Sequence, residues 1–348
     1  MSDRIYPVSL ADAAEFICGK RALILCHVNP DGDAIGSATA LAEVLRLTGG
    51  EGKVATPSPA ADRLSFITGG MDTAYTDGME KDFDLVLAVD TASPNQLGNL
   101  SFLADKVAIS FDHHKNCTLY SPYVLYDNSA AAGIVVYDLL HELESAGRIR
   151  GDASGVLRRI YAAIASDTGS FKYSNANAEA FTVAADICRR LADAPSSGEC
   201  PIDSMTPADI SASLFDNVTK KDIAMRQIAY RNLRYICGGL IALSAITSAE
   251  MEESGLTLED LGAMVDCVRS IGGTAVGIVL KQSAPNVWRG SSRANVDFDV
   301  SAPASMLGGG GHTRAAGFTV ETDSAETAVT ITESVFGKAL TEAGYDWE

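Results

Sequence analysis

Three apolar runs in the N-terminal half each deliver the chain to acidic or imidazole side chains, and no other feature narrows the fold as much. Leu23-Ile24-Leu25-Cys26 leads to His27, Asp31 and Asp33; Leu85-Val86-Leu87-Ala88-Val89 leads to Asp90; Val107-Ala108-Ile109-Ser110-Phe111 leads to Asp112, His113 and His114. Short apolar runs bounded by turn formers read as buried strands. A helical pattern starts directly behind the first, over residues 34–48, with Leu41, Val44 and Leu45 on one side and Gly49-Gly50 as its stop. Buried strands joined through helices predict a doubly wound parallel α/β sheet, in which ligands sit outside the carboxyl ends of the strands. Acids gathered there repel one another, so a bound cation is the natural way to hold them together.

The first turn offers one imidazole and two carboxylates, His27, Asp31 and Asp33, a nitrogen and oxygen set suited to a divalent metal of the manganese type. Asn29, Pro30 and Gly32 are turn formers that can fold the three side chains toward one point. Alone, an Asp-Gly-Asp triplet is equally an ordinary surface loop. The other histidines add weight: His113, His114 and His312 also fall in polar, Gly- or Asp-rich turns, and only His141 sits within a helical pattern. Asp167, in Asp167-Thr168-Gly169-Ser170-Phe171, is a further acid at the end of a helical pattern.

Helices are expected over residues 8–20, 130–147, 152–166 and 177–192, followed by the most loop-like segment, 193–201. Two more helices are expected between 207 and 235, the second running from 220 to 235. Beyond Gly238-Gly239 the pattern reads strand 240–246, helix 257–270, strands 274–281 and 287–293, a glycine-rich run, and a closing strand and helix. This predicts a metal-binding catalytic domain over residues 1–195, a helical connector over 196–236 and a smaller α/β domain over 237–348.

Composition excludes several functions. A formal charge of −18 repels polyanions, so a footprint on long duplex nucleic acid is not expected, while a small anion held through bound cations is compatible with it. No apolar run approaches the ~18 residues of a membrane span, so no membrane association is expected. Seven cysteines without a Cys-x-x-Cys pair fit free thiols in a reducing cytoplasm, with Cys26 a buried filler beside His27.

His27-x-Asn29-Pro30-Asp31-x-Asp33, then Asp90, then Asp112-His113-His114, then Asp167-Thr168-Gly169-x-Phe171 resemble, in this order, the four motifs of the DHH phosphoesterases. Gly308-Gly309-Gly310-Gly311-His312-x-x-Ala315-Ala316-Gly317 resembles the signature of the DHHA1 domain that ends one branch of that family. Size and two-domain layout are most similar to its bifunctional oligoribonuclease and adenosine 3′,5′-bisphosphate phosphatase group. The larger recombination exonucleases, the membrane-bound phosphodiesterases and the manganese pyrophosphatases carry other segments.

The resemblance implies a DHH domain and a DHHA1-type domain with the active site in the cleft between them. It makes His27, Asp31 and Asp90 ligands of one metal and Asp33, Asp90, His113 and Asp167 ligands of a second, with Asp90 bridging. Two manganese ions, or magnesium in their place, are implied. His114 would face the substrate phosphate, and Asp112 would either join the catalysis or orient an imidazole. Arg293 and the Gly309, Gly310, Gly311 and His312 run would hold substrate, whereas Arg289 is expected to be an exposed strand arginine. The implied substrates are short single-stranded RNA, linear dinucleotides and adenosine 3′,5′-bisphosphate, in a cytoplasmic protein compatible with a homodimer. Pyrophosphate or short polyphosphate hydrolysis, and nucleotide binding without turnover, are the alternatives.

Overall fold

Alternate residues of the first apolar run are buried in two separate layers: Ala22 and Ile24 face one core, Leu23 and Leu25 another. That pattern requires a sheet covered on both sides. The computed structural model describes residues 6–115, 117–194, 200–262 and 264–346. The chain divides into two compact units, Met1–Asn217 and Val218–Glu348.

The first unit contains α1 (Leu10–Ile17), β1 (Arg21–Leu25), α2 (Gly32–Leu47), β2 (Glu51–Ala55), α3 (Ser65–Thr68), β3 (Leu85–Val89), β4 (Val107–Asp112), β5 (Tyr123–Leu125), α4 (Ala132–Ser145), α5 (Ser154–Asp167), α6 (Ala178–Leu191) and α7 (Pro207–Phe215). Its strands form a wholly parallel sheet in the order β2-β1-β3-β4-β5. The expected parallel sheet is therefore present. One face packs on residues of α1, α2, α4 and α5, and the other on Leu97, Leu100 and Leu103 from a 3₁₀-helical stretch, Pro94–Lys106. Strand order reverses between β1 and β3, which opens a crevice at their carboxyl ends.

Close helix crossings bring the site's elements together. A Cβ at Gly36 of α2 would lie 2.8 Å from the Arg159 carbonyl oxygen and 3.1 Å from Cβ of Ala163, both on α5. One at Gly133 of α4 would lie 2.6 Å from the same Ala163 methyl. The glycines let α2 and α4 rest on α5, and the N-termini of α2 and α4 meet the C-terminus of α5.

The second unit contains α8 (Lys220–Arg231), β6 (Leu233–Ile236), β7 (Ile241–Ile246), α9 (Ser248–Glu253), α10 (Met264–Arg269), β8 (Val276–Ala284), β9 (Val287–Ala294), α11 (Ser301–Met306), β10 (Gly310–His312), β11 (Ala315–Glu321) and α12 (Ala325–Glu342). Its sheet runs β10-β11-β9-β8-β7-β6, antiparallel except between β7 and β8. Phe336 of α12 packs with Trp288 and Phe318 on one face, and residues of α8 and α10 pack with Ala242, Ile246 and Val279 on the other. On that second face β9 presents Arg289, Ser291 and Arg293.

The helices of the expected connector fall in different units. α7 packs on α5, whereas α8 packs on α10 and β7. α8 ends at Arg231, where Asn232 caps it, because Leu233–Ile236 pairs with β7 as an edge strand. The expected boundary loop at 193–201 lies in part outside the described residues, which omit 195–199. Of the helix expected over 257–270 only its second half is helical, as α10, and a separate short helix, α9, precedes that range. The start of α9 was legible as the capping box that Thr247 forms with Glu250.

Gly36→Ala tests the crossing. Alanine is intrinsically the better helix former by about 1 kcal/mol, yet its methyl would press on a backbone carbonyl. The expected result in urea unfolding is a net loss of about 1–3 kcal/mol, the usual cost of overpacking; a gain in stability would contradict this packing.

Candidate metal centre

β1 and the turn after it carry His27 and Asp31. Asp31 is the N-cap of α2, accepting from the backbone N–H of Asp33 and Ala34 at 3.0 Å each. Asp33 follows in the first helical turn and is completely buried. Its Oδ1 accepts from Ser37 Oγ (2.8 Å) and Gly133 N (3.0 Å), and its Oδ2 from Ala132 N (2.7 Å). The carboxylate thus sits against the positive end of α4 as well as its own helix.

Asp90 follows β3 in a left-handed conformation, φ +53°, and is 3% exposed. A non-glycine residue held there costs about 1–3 kcal/mol and marks sites where geometry overrides local preference. Its Oδ2 lies 3.4 Å from Nε2 of His27, and its Oδ1 lies 3.5 Å from Nε2 of His113. Oδ1 is buried and has no hydrogen-bond partner among the described residues. A buried carboxylate oxygen without a donor is costly unless a cation compensates it.

The imidazoles are oriented for ligation. His27 Nδ1 lies 2.9 Å from the Val28 carbonyl and His113 Nδ1 lies 3.2 Å from that of Ser129. A carbonyl only accepts, so Nδ1 donates in both rings and Nε2 is turned to the carboxylates. From His27 Nε2 to Asp31 is 3.8 Å; from His113 Nε2 to Asp33 and Asp167 is 3.6 and 3.5 Å. These separations exceed hydrogen bonds. They suit ligands sharing an ion at about 2.1 Å from each.

The structure thus brings the six expected metal residues into two groups, His27 with Asp31 and Asp90, and Asp33 with His113 and Asp167. Asp90 turns one oxygen to each. His114, also within reach of Asp90, hydrogen-bonds through Nδ1 to Asp112 Oδ1 at 2.8 Å. The same oxygen accepts from the backbone N–H of His113 and His114, so Asp112 clamps this turn. Ser37 and the amides of Ala132 and Gly133 complete Asp33; the small residues at the α4 start were their only trace in sequence.

In the second unit the glycine run is shaped by close backbone contact. A Cβ at Gly309 would lie 2.0 Å from the Gly317 carbonyl oxygen, and one at Gly311 2.5 Å from that of Ala315. Gly310–His312 is an exposed strand, with His312 opposite Ala315 and Ala315 opposite Arg293. Arg289 is the exposed strand arginine that was expected; it shares its face with Arg293, and Lys281 stands opposite it on β8. Burial and then these two arginines hold the Lys281 ammonium below its ordinary pKa. Lys281 carried no recognisable signal in sequence.

Without a metal, protons take the place of a cation. Burial opposes the charging of His27 and His113, but the facing carboxylates outweigh it and raise them to about 11 and about 10. Burial, then neighbouring acids, push Asp33 and Asp167 above the usual carboxylate range. The carboxyl shifts give the native state extra protons from about pH 4 until they are lost near about 7 and about 8, and the imidazole shifts do so from about pH 6.5 upward, so across about pH 6.5 to 8.5 stability falls as pH rises. The melting temperature of EDTA-treated protein should be lower at about pH 8.5 than at about pH 6.5. Manganese should raise it more at the higher pH, because ligation releases protons. A melting temperature indifferent to manganese at both pH values would contradict a metal centre here.

Residues 21–165 match the DHH family N-terminal domain and residues 240–338 match the DHHA1 domain. The bifunctional oligoribonuclease and PAP phosphatase NrnA of Thermus thermophilus is 26% identical over 325 residues, 92% of this chain and 91% of that protein. Its Bacillus subtilis namesake is 31% identical over 166 residues, 46% of this chain and 50% of its own. Among solved structures, an exopolyphosphatase-related protein from Bacteroides fragilis superposes with a TM-score of 0.78 at 20% identity, covering 96% of each chain, which shows a shared fold. The chain therefore carries a DHH family N-terminal domain followed by a DHHA1 domain.

Proposed function

We propose that this DHH-family phosphoesterase uses two divalent cations, manganese or magnesium, to hydrolyse short oligoribonucleotides and linear dinucleotides to mononucleotides and to remove the 3′-phosphate of adenosine 3′,5′-bisphosphate. The observation that carries the reading is the placement of Asp90, whose two carboxylate oxygens are directed to two separate groups of ligands. Four carboxylates stand in those groups, matching the charge of two divalent ions. The substrate class rests on the relatives whose names are oligoribonuclease and PAP phosphatase, one of them aligned over most of this chain.

In this reading His27, Asp31 and Asp90 would hold one ion, and Asp33, Asp90, His113 and Asp167 would hold the other. Bound there, the ions would polarise the phosphoryl oxygens and activate a water for in-line attack. The protein's own groups do the rest. Asp112 keeps a proton on His114 Nδ1 and raises the ring's pKa, so the imidazolium can donate through Nε2 to a phosphoryl oxygen. Arg293 and His312 would grip a second anionic group, and beside them Gly310 leaves the backbone open, since a Cβ there would meet nothing within 4 Å. A net charge of −18 disfavours long polyanions, which fits short substrates.

The test is a panel of RNA dinucleotide, adenosine 3′,5′-bisphosphate and pyrophosphate, with manganese and with magnesium. Dinucleotide and bisphosphate should be cleaved in preference to pyrophosphate; the reverse preference would contradict the reading. Asp90→Ala should lower turnover by more than the ~10–100-fold that losing an outer partner of a metal ligand costs. His312→Ala should weaken nucleotide hydrolysis while manganese binding, followed by calorimetry, stays as in wild type.

A further inference from the structure

Beside the carboxylate and imidazole cluster, and lined by none of its residues, the first unit holds an open groove of about 550 Å³. Its walls come from the segments after β2 and β3, at the same carboxyl end of the sheet as the cluster. The two are joined through one turn: Ser58 lines the groove, and its Oγ accepts from the backbone N–H of Asn29 at 2.8 Å. Asn29 stands between His27 and Asp31. The stretch after β3 closes the other side, since a Cβ at Gly98 would lie 3.3 Å from Pro57 and 3.5 Å from Val28.

A fixed aromatic pair stands at the groove. Tyr75 and Phe102 meet edge to face, with centroids 5.8 Å apart at 72°. The Tyr75 hydroxyl donates to Glu80 Oε2 at 2.6 Å and accepts from Gly78 N at 3.1 Å, and Lys106 donates to Glu80 Oε1 at 2.6 Å. This chain of bonds holds the Tyr75 ring in place. Phe102 and Met71 line the groove while 57% and 40% exposed, so their apolar surfaces are offered to whatever enters it.

Charge selects the occupant. Asp62, Asp72 and Asp77 are in the lining, which among the described residues includes no lysine or arginine. Such a wall repels phosphate and suits an uncharged group with many donors, as the exocyclic amines of bases and the hydroxyls of ribose provide. Ser58 and Asn99 add groups that can both donate and accept. The volume lies within the ~300–1,000 Å³ usual for sites that enclose a small organic ligand.

We propose that this groove receives a nucleoside of the substrate, its base stacked on Phe102 beside Tyr75 and Met71, and its phosphoester passing Ser58 and Asn29 toward His27 and Asp31. The inference rests on the nucleotide reading above and adds the part of the first unit that recognises the base.

Phe102→Ala and Met71→Ala, both at exposed side chains, should melt as wild type does. With an RNA dinucleotide, Phe102→Ala should raise KM on the order of tenfold, the usual effect of losing a base-stacking ring. With dinucleotides made abasic at one end or the other, the effect should vanish for one end, which identifies the base in the groove. An unchanged KM, or the same fold-change on intact and both abasic substrates, would overturn the proposal. Adenosine alone, followed by saturation-transfer NMR, separates the groove from turnover. A signal in wild type that Phe102→Ala abolishes supports a nucleoside site even if dinucleotides are not cleaved; no signal, or one indifferent to Phe102→Ala, overturns it.

Discussion

The structure depends on burying two carboxylates, Asp33 and Asp90, at the carboxyl ends of a parallel sheet. Each is solved differently. Asp33 accepts from Ser37 and from two amides at the start of α4, with Oδ2 taking only one of these donors, so one buried charge fixes the N-termini of α2 and α4 against each other. Asp90 is left with one oxygen lacking any donor among the described residues and is held instead between two imidazoles. Removing water from such groups costs several kcal/mol each. An arrangement that expensive persists where function requires it.

The surrounding fold is shaped to keep this cluster rigid. Helices α2, α4 and α5 come close enough to position Asp31, Asp33 and Asp167 only because Gly36 and Gly133 leave room for Ala163. Asp112 spends its carboxylate on three donors from the two histidines that follow it, so it acts on His114 by orienting it. The second unit answers a different demand. Its helices cover β7 and β8 on one face, while on that same face β9 presents Arg289 and Arg293 near Lys281 of β8, a concentration of positive charge in an acidic chain.

Much of this was legible in the sequence because it follows strong local rules. The runs before His27, Asp90 and Asp112 are apolar on both alternating faces, and only a doubly covered strand needs that. Edge strands obey no such rule. In β2 only Val54 and Ala55 are buried, β5 spans three residues, and β6 is half exposed, so none of them announced itself. The glycine run was readable as a motif, but the reason for it was not: Gly309 and Gly311 answer to the backbone of β11, which lies nearby only after folding. Lys281 and the Phe102 groove escaped for the same reason. Their meaning comes from neighbours distant in sequence.

Anomalous diffraction from crystals soaked in manganese tests the role of Asp90 most directly. Two manganese peaks are predicted, one contacted by His27, Asp31 and an oxygen of Asp90, the other by Asp33, His113, Asp167 and the second oxygen of Asp90. A single peak, or two peaks with Asp90 bound to only one of them, would contradict the account.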